Sequence, residues 1–367
     1  MKNKNIIMIC IFALFFSVLS VMCYFKADEE ISDSERRVLA QKPELSAERV
    51  FSGEYAKEFE VYAADQFPMR DNFRTVKAVF STKILNKADN NGIYMKEGHI
   101  SKLEYPENKE MMEYGAKKFT SIYHKFIKNS DADVYLSIVP DKNYFLAEKY
   151  GYPSINYENF IDYFESEMNY AVYIDIAQLL EIDDYYRTDS HWKQEKITGI
   201  AKYMAEQMGA DEIRLEYTVN KLDNPFLGVY AGQSALPCEA DEIKYLTNDI
   251  IDNAVVTYYD TGMPKEGAMY DMEKAKGKDP YEMFLSGSTP LVTIENPAAT
   301  TERELVIFRD SFGSSIAPLL SQRYKKTTVV DIRYVQSDYL GAFIKFNNQD
   351  VLFLYSTTML NNSKILR

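Results

Sequence analysis

Apolar strands alternating with amphipathic helices predict an α/β protein whose sheet is covered on both faces. Three observations carry that expectation. The runs 134–139, 305–308 and 351–355 are dominated by apolar β-formers and have strand length, as parallel strands buried on both sides do. Helical spacing fills the intervals at 160–168, 193–208, 314–323 and 339–346. A chain of 367 residues, 46% hydrophobic and 26% charged, has ordinary globular composition and can bury a large core.

The N-terminus comes first in chain order. Residues 6–25 carry no charge and are long enough to cross a bilayer, which needs about 20 apolar residues. Lys2 and Lys4 precede this run, and Asp28, Glu29 and Glu30 come after it. That bias predicts a cytoplasmic N-terminus and an extracytoplasmic body. Phe25 spoils a signal-peptidase cut after Ala27, and Met22 before Cys23 spoils lipoprotein processing, so a retained anchor over residues 1–25 is favoured over cleavage. Residues 26–50 read as a polar stalk.

Beyond it, Phe51, Tyr55, Phe59 and Tyr62 recur at helical spacing, Phe67-Pro68 breaks the run, and 73–85 resumes it. Residues 93–95 and 99–100 read as a hairpin and 111–127 as an amphipathic helix. Strands are also expected at 171–176 and 328–332. Residues 224–281, rich in Gly, Asp and Tyr, break the alternation and read as an irregular insertion within a domain covering 51–367.

Composition narrows the partners. The net charge is −13, and the two lysines ahead of the apolar run leave −15 for the rest. So acidic a body argues against nucleic acid and against a peripheral grip on anionic lipid. Cys10 and Cys23 lie in the apolar run, which leaves Cys238 without an intrachain disulfide partner. No Cys/His spacing resembles a zinc site, and no metal or cofactor is expected.

Two stretches carry chemistry. In Thr188-Asp189-Ser190-His191-Trp192, one of only three histidines comes two residues after an aspartate. An aspartate two positions away on extended backbone points to the same side and can orient the imidazole. In Phe308-Arg309-Asp310-Ser311-Phe312-Gly313, a serine sits where an apolar strand should turn into a helix. Ligands bind at the carboxyl ends of such strands. Asp, His and Ser are the parts of a nucleophilic triad, and their order along the chain is no obstacle. Each motif also fits a plain helix start, with Asp310 or Ser311 capping one helix and Asp189 or Ser190 the other.

Tyr186-Arg187-Thr188-Asp189-Ser190-His191-Trp192 resembles the signature of the DHHW family, with Ser190 in place of the first histidine. That family is similar to the SGNH-like alginate O-acetyltransferases of the bacterial envelope. The resemblance extends to Arg36-Arg37-Val38-Leu39-Ala40, Pro43, Asp65-Gln66-Phe67-Pro68-Met69-Arg70, Gly92-Ile93-Tyr94-Met95-Lys96-Glu97-Gly98, Pro140-Asp141-Lys142, residues 281–287 and Asp310-Ser311-Phe312. It implies an SGNH-hydrolase-like three-layer α/β/α sandwich with a mainly parallel sheet and rearranged motif order. By motif position it implies Ser311 as nucleophile, His191 as general base and then acid, and Asp189 as orienter. It also implies a cell-surface polysaccharide as acceptor and a membrane-bound O-acyltransferase as partner. Gly287 and the Ser311 amide are the expected oxyanion donors, with Asn296 a weaker one. Arg333 and Tyr334 are expected near the acyl or sugar group, although an acidic neighbour for Arg333 is an equal alternative. An esterase of the same fold and a silent carbohydrate-binding or scaffold subunit stand as alternatives.

Overall fold

The computed structural model describes residues 2–260 and 262–367. The chain divides into two compact units, Met1–Asn91 with Val229–Cys238, and Gly92–Gly228 with Glu239–Arg367. The sequence alone predicts a single domain over 51–367.

The first unit opens with the helix Lys2–Phe25, of which Lys4–Phe25 is long and apolar enough to span a membrane or to be a signal sequence. The segment after this helix is folded and is not an extended stalk. Strands Ile31–Ser32 and Arg37–Val38 pair antiparallel. Arg37 forks onto Asp65 at 2.9 and 2.5 Å, and the Ala40 amide donates to the same carboxylate. The Arg37 hydrogen bond holds the Asp65 carboxyl down to about 2. Local polarity conceals this, because the partner lies 28 residues along the chain. Helices Ala47–Ser52, Glu54–Asp65 and Arg70–Val79 come next, the last continuing through a π-helical turn, Phe80–Ile84. Phe67-Pro68 falls in the gap, as its missing amide donor dictates.

The second unit is built on an eight-stranded sheet. Its order is Lys265–Gly267, Val255–Tyr258, Leu291–Glu295, Lys326–Val330, Glu304–Arg309, Asp350–Ser356, Asp133–Val139 and Val172–Tyr173. The last five are mutually parallel, and the first three add an antiparallel edge. Side chains alternate with period two. Leu305, Ile307, Leu352 and Leu354 enter one core with Met204, Ile316 and Leu319 from the helices Thr198–Gln207 and Phe312–Leu320. Val306, Phe308, Val351 and Phe353 enter the other, against Phe119, Phe160 and Phe164 from Lys109–Ile122 and Tyr157–Glu167. Both faces are covered, which gives the three-layer α/β/α sandwich.

Several elements depart from the sequence reading. The stretch 224–281 supplies two strands of the main sheet, Val255–Tyr258 and Lys265–Gly267, and Leu291–Glu295 joins it unforeseen. The strand expected at 171–176 shrinks to Val172–Tyr173. The helix expected from 193 begins at Thr198, after a 3-10 turn, Gln194–Lys196. Its start is delayed because the Gln194 side chain donates to Ser315 O and accepts from the Leu246 amide, both at 2.8 Å.

Glu104 gives the second unit a pH signature. Its carboxyl is 4% exposed, accepts from the Asn361 amide at 2.6 Å and is pushed by burial from 4.5 to about 7. Asp141 adds to the rise. The folded state therefore holds this proton more tightly than the unfolded chain. Its stabilising effect is complete below the unfolded value and is lost as pH rises from there through about 7. We expect stability to fall by up to about 3 kcal/mol across that window and Glu104→Gln to flatten the fall. Urea unfolding at several pH values would show it. An unchanged slope in Glu104→Gln would assign it elsewhere.

Candidate active site

The strand Glu304–Arg309 ends between two parallel neighbours, and the helix Phe312–Leu320 starts three residues later. The two residues of the turn divide the labour. Asp310 does the capping: its Oδ1 accepts from the Phe312 amide at 3.0 Å, and its Oδ2 from the Ser356 amide and hydroxyl at 2.8 and 2.7 Å. Ser311 makes no side-chain cap bond. A Cβ on Gly313 would lie 2.4 Å from Arg309 Cβ, so only glycine permits this tight strand-to-helix turn.

The loop carrying Asp189 and His191 is held from three sides. Tyr185 bridges Trp192, and the Tyr186 amide donates to His191 O. Asp241 accepts from the Arg187 and Thr188 amides and from the Thr188 hydroxyl, at 2.6 to 2.9 Å. The buried Lys142 ammonium donates to the carbonyls of Tyr186 and Arg187 at 3.0 and 3.2 Å. Burial pushes that lysine down to about 7. Gly228 closes on the loop so tightly that a Cβ there would stand 2.3 Å from Asp189 Cβ.

These supports bring three side chains into line. Asp189 is fully buried, and its Oδ1 lies 2.5 Å from His191 Nδ1. His191 Nε2 lies 2.7 Å from Ser311 Oγ. A carboxylate only accepts, so Nδ1 carries the hydrogen. In the neutral ring Nε2 then accepts from the serine hydroxyl. The Tyr281 ring stacks on the imidazole at 3.9 Å and 11°, and its hydroxyl meets Ser315 Oγ at 2.9 Å. Trp192 Nε1 donates to the same Ser315 Oγ at 2.9 Å. The other histidines lie elsewhere, with His99 buried against Asp183 and His124 exposed.

The remaining expected residues fare differently. The Ser311 amide donates to no acceptor among the described residues. The Gly287 amide is spent on Phe284 O at 3.1 Å, and its carbonyl accepts from Arg309, so it offers no free oxyanion donor. Asn296 comes just after the end of Leu291–Glu295 that pairs with Lys326, at the opposite end of the strands from Ser311, and its amide donates to Gln322 O. Arg333 takes the acidic neighbour instead: its Nε, Nη2 and backbone amide all donate to Asp331. Tyr334 is exposed and donates to Ser288 Oγ at 3.2 Å. Sequence reasoning misses Asp241, Gly228 and the Tyr281 stack. Of these only Tyr281 stands in a motif that the sequence singles out.

No protein-family model matches the sequence, and no match is found among curated proteins. Solved structures do match. The structure of Bacillus cereus PatB1 with a sulfonyl adduct aligns with a TM-score of 0.60 at 20% identity, over 73% of this chain and 95% of that one. A DHHW family protein from Eubacterium siraeum aligns with a TM-score of 0.58 at 22% identity, over 76% of this chain and 95% of that one. A weaker likeness, TM-score 0.44 and 12% identity, reaches the O-acetyltransferase domain of Pseudomonas putida AlgJ, over 74% of this chain and 92% of that one. The chain thus shares the α/β sandwich fold of PatB1 and of the DHHW family protein, in line with the fold that its motifs imply.

Proposed function

We propose that this protein is a membrane-anchored, extracytoplasmic O-acetyltransferase that esterifies a cell-surface polysaccharide through an acyl-enzyme on Ser311. The observation that carries the reading is the continuous line from Asp189 through His191 to Ser311, at 2.5 and 2.7 Å. Shared fold with PatB1 and the DHHW motifs support it; the apolar helix Lys4–Phe25 with lysines before it supports the anchor and its orientation.

In this reading Ser311 Oγ attacks the acetyl carbonyl while His191 Nε2 takes its proton. Asp189 holds the ring and offsets the charge of the imidazolium. The Ser311 amide faces the oxyanion. The imidazolium then protonates the departing donor group, leaving acetyl on Ser311. A sugar hydroxyl attacks that ester, passes its proton to His191, and Ser311 Oγ leaves with the proton returned. Because the body lies outside the cytoplasm, the acetyl group comes across the membrane, from a membrane-bound O-acyltransferase partner.

The test supplies 4-nitrophenyl acetate with and without an oligosaccharide. Acetylated sugar, found by mass spectrometry, supports the transferase. Acetate alone supports the esterase, in which water takes the place of the sugar. No nitrophenol release and no sulfonylation of Ser311 by a sulfonyl fluoride leaves the silent carbohydrate-binding or scaffold subunit.

Tyr281 gives a finer check. An aromatic stack contributes about 0.5–1.5 kcal/mol, so Tyr281→Leu is expected to lower kcat roughly two- to tenfold by loosening His191. Tyr281→Phe keeps the stack and should stay within about twofold. Equal losses in both variants would assign the effect to the hydroxyl.

A further inference from the structure

One helix of the first unit is turned inside out. Along Arg70–Val79 and the turn Phe80–Ile84, the residues Phe73, Val76, Phe80 and Ile84 recur every three or four positions, the spacing of a single face. In a helix packed on a core that face is buried. Here Val76 is 65% exposed, Phe80 52% and Ile84 63%, while Ala78 and Ser81 on the other side are buried. Lys77 and Lys83 flank the stripe and Lys87 lies just beyond it, all exposed. Arg70 and Arg74 are spent on Glu35. Lys77 meets only the neutral Asn91, and Lys83 and Lys87 pair with no carboxylate among the described residues. Residues 70–87 hold five basic residues against one acid, Asp71, in a chain of net charge −13.

The route of the chain says what covers this stripe. The N-terminal helix ends at Phe25, and four residues later Glu29 is clamped, its amide and carbonyl both bonded to the Gln66 side chain at 2.9 and 2.8 Å. Tyr62 fastens Asp28 beside it. Four residues reach about 14 Å when fully extended, about twice the headgroup layer of one leaflet. Gln66 is in turn four residues from Arg70. The unit is therefore held against the end of the apolar helix by a short, fixed connection.

We propose that the stripe Phe73–Val76–Phe80–Ile84 lies in the interface of the bilayer that the N-terminal helix enters, with Lys77, Lys83 and Lys87 reaching to anionic headgroups. The proposal rests on the reading of that helix as a retained anchor. Whole-chain acidity speaks against anionic lipid; this segment is a local exception of opposite charge.

The test uses the full chain with Cys10, Cys23 and Cys238 replaced by serine, in single-copy nanodiscs of phosphatidylcholine with phosphatidylglycerol. A polarity-sensitive nitrobenzoxadiazole is attached in turn to Val76→Cys, Phe80→Cys, Ile84→Cys and, within the anchor, Phe15→Cys. Phosphatidylcholine spin-labelled near the headgroup should quench the three stripe reporters about twofold, and less when phosphatidylglycerol is left out. Photoactivatable phosphatidylglycerol should crosslink to residues 70–87 of the unsubstituted chain, a readout that needs no variant. If Phe15 is quenched by deep spin label while the stripe reporters stay in water and no crosslink forms, the proposal falls and the anchor stands. If Phe15 is not quenched, both fall. Blue-shifted stripe reporters that lipid does not quench would mark a protein contact and overturn the proposal.

Discussion

Ser311→Ala should lose acyl transfer by a factor on the order of 10⁴ or more while the protein stays folded. Ser311 Oγ touches His191 alone among the triad, and its removal empties no core position, since Asp310 does the capping of the helix. His191→Ala should fall to the same floor, and the double variant no further, because nucleophile and base act as one unit. Asp189→Asn should be roughly 10- to 100-fold milder: the base survives, but an amide no longer holds the hydrogen on Nδ1. A sulfonyl fluoride gives an independent readout. It should modify Ser311 in the wild type and fail in His191→Ala, where the hydroxyl is no longer activated. Wild-type transfer by Ser311→Ala would end the enzyme reading and leave the binding or scaffold one.

Much of that site is legible in the sequence because its chemistry is rare in this composition. With three histidines in the chain, an Asp-x-His pair and a Ser at a strand end stand out, and both motifs are short enough to read without tertiary knowledge. The buried strands at 134–139, 305–308 and 351–355 are legible for a similar reason, since parallel strands covered on both faces are continuously apolar. What the sequence hides depends on distant partners. Thr188 finds Asp241 53 positions on, and Arg37 finds Asp65 28 positions on. Neither pair leaves a local pattern. The antiparallel strands Val255–Tyr258 and Lys265–Gly267 are concealed by Gly, Asp and Tyr that read as loop. The polar run after the apolar N-terminal helix reads as a stalk because its charges find their partners only in the fold. The expected oxyanion donors fail at Gly287 and Asn296, since residue type alone cannot tell a free amide from a spent one.

Asp331→Ala should be the most damaging single change to the second unit, at about 3–5 kcal/mol. Asp331 is fully buried just beyond the strand Lys326–Val330 and lies between two cations. Arg333 donates to it at 2.8 and 2.6 Å, and Arg309 stands 3.2 Å away with 1% of its side chain exposed. Burial pulls the Arg309 pKa down, with Asp331 opposing that pull. Burial also works against the Arg333 charge, but the hydrogen bond and the charge of Asp331, helped by Asp310, together more than offset it and leave that pKa raised. Removing the carboxylate leaves the fully buried Arg309 guanidinium and the partly buried Arg333 one with only the charge of Asp310 to offset them, which costs more than the pair itself contributes. Asp331→Asn keeps one acceptor and should cost less, and adding Arg309→Met to it should recover part of the loss by removing the deeper cation. Reactivity should track stability, because Arg309 immediately precedes Asp310 and ties Gly287 O at 3.0 Å. Slower sulfonylation of Ser311 in Asp331→Asn, measured where that variant is still folded, would show the link. A loss below about 1 kcal/mol in Asp331→Ala would mean that water reaches the two arginines, and the cluster would then be a surface ion pair in all but position.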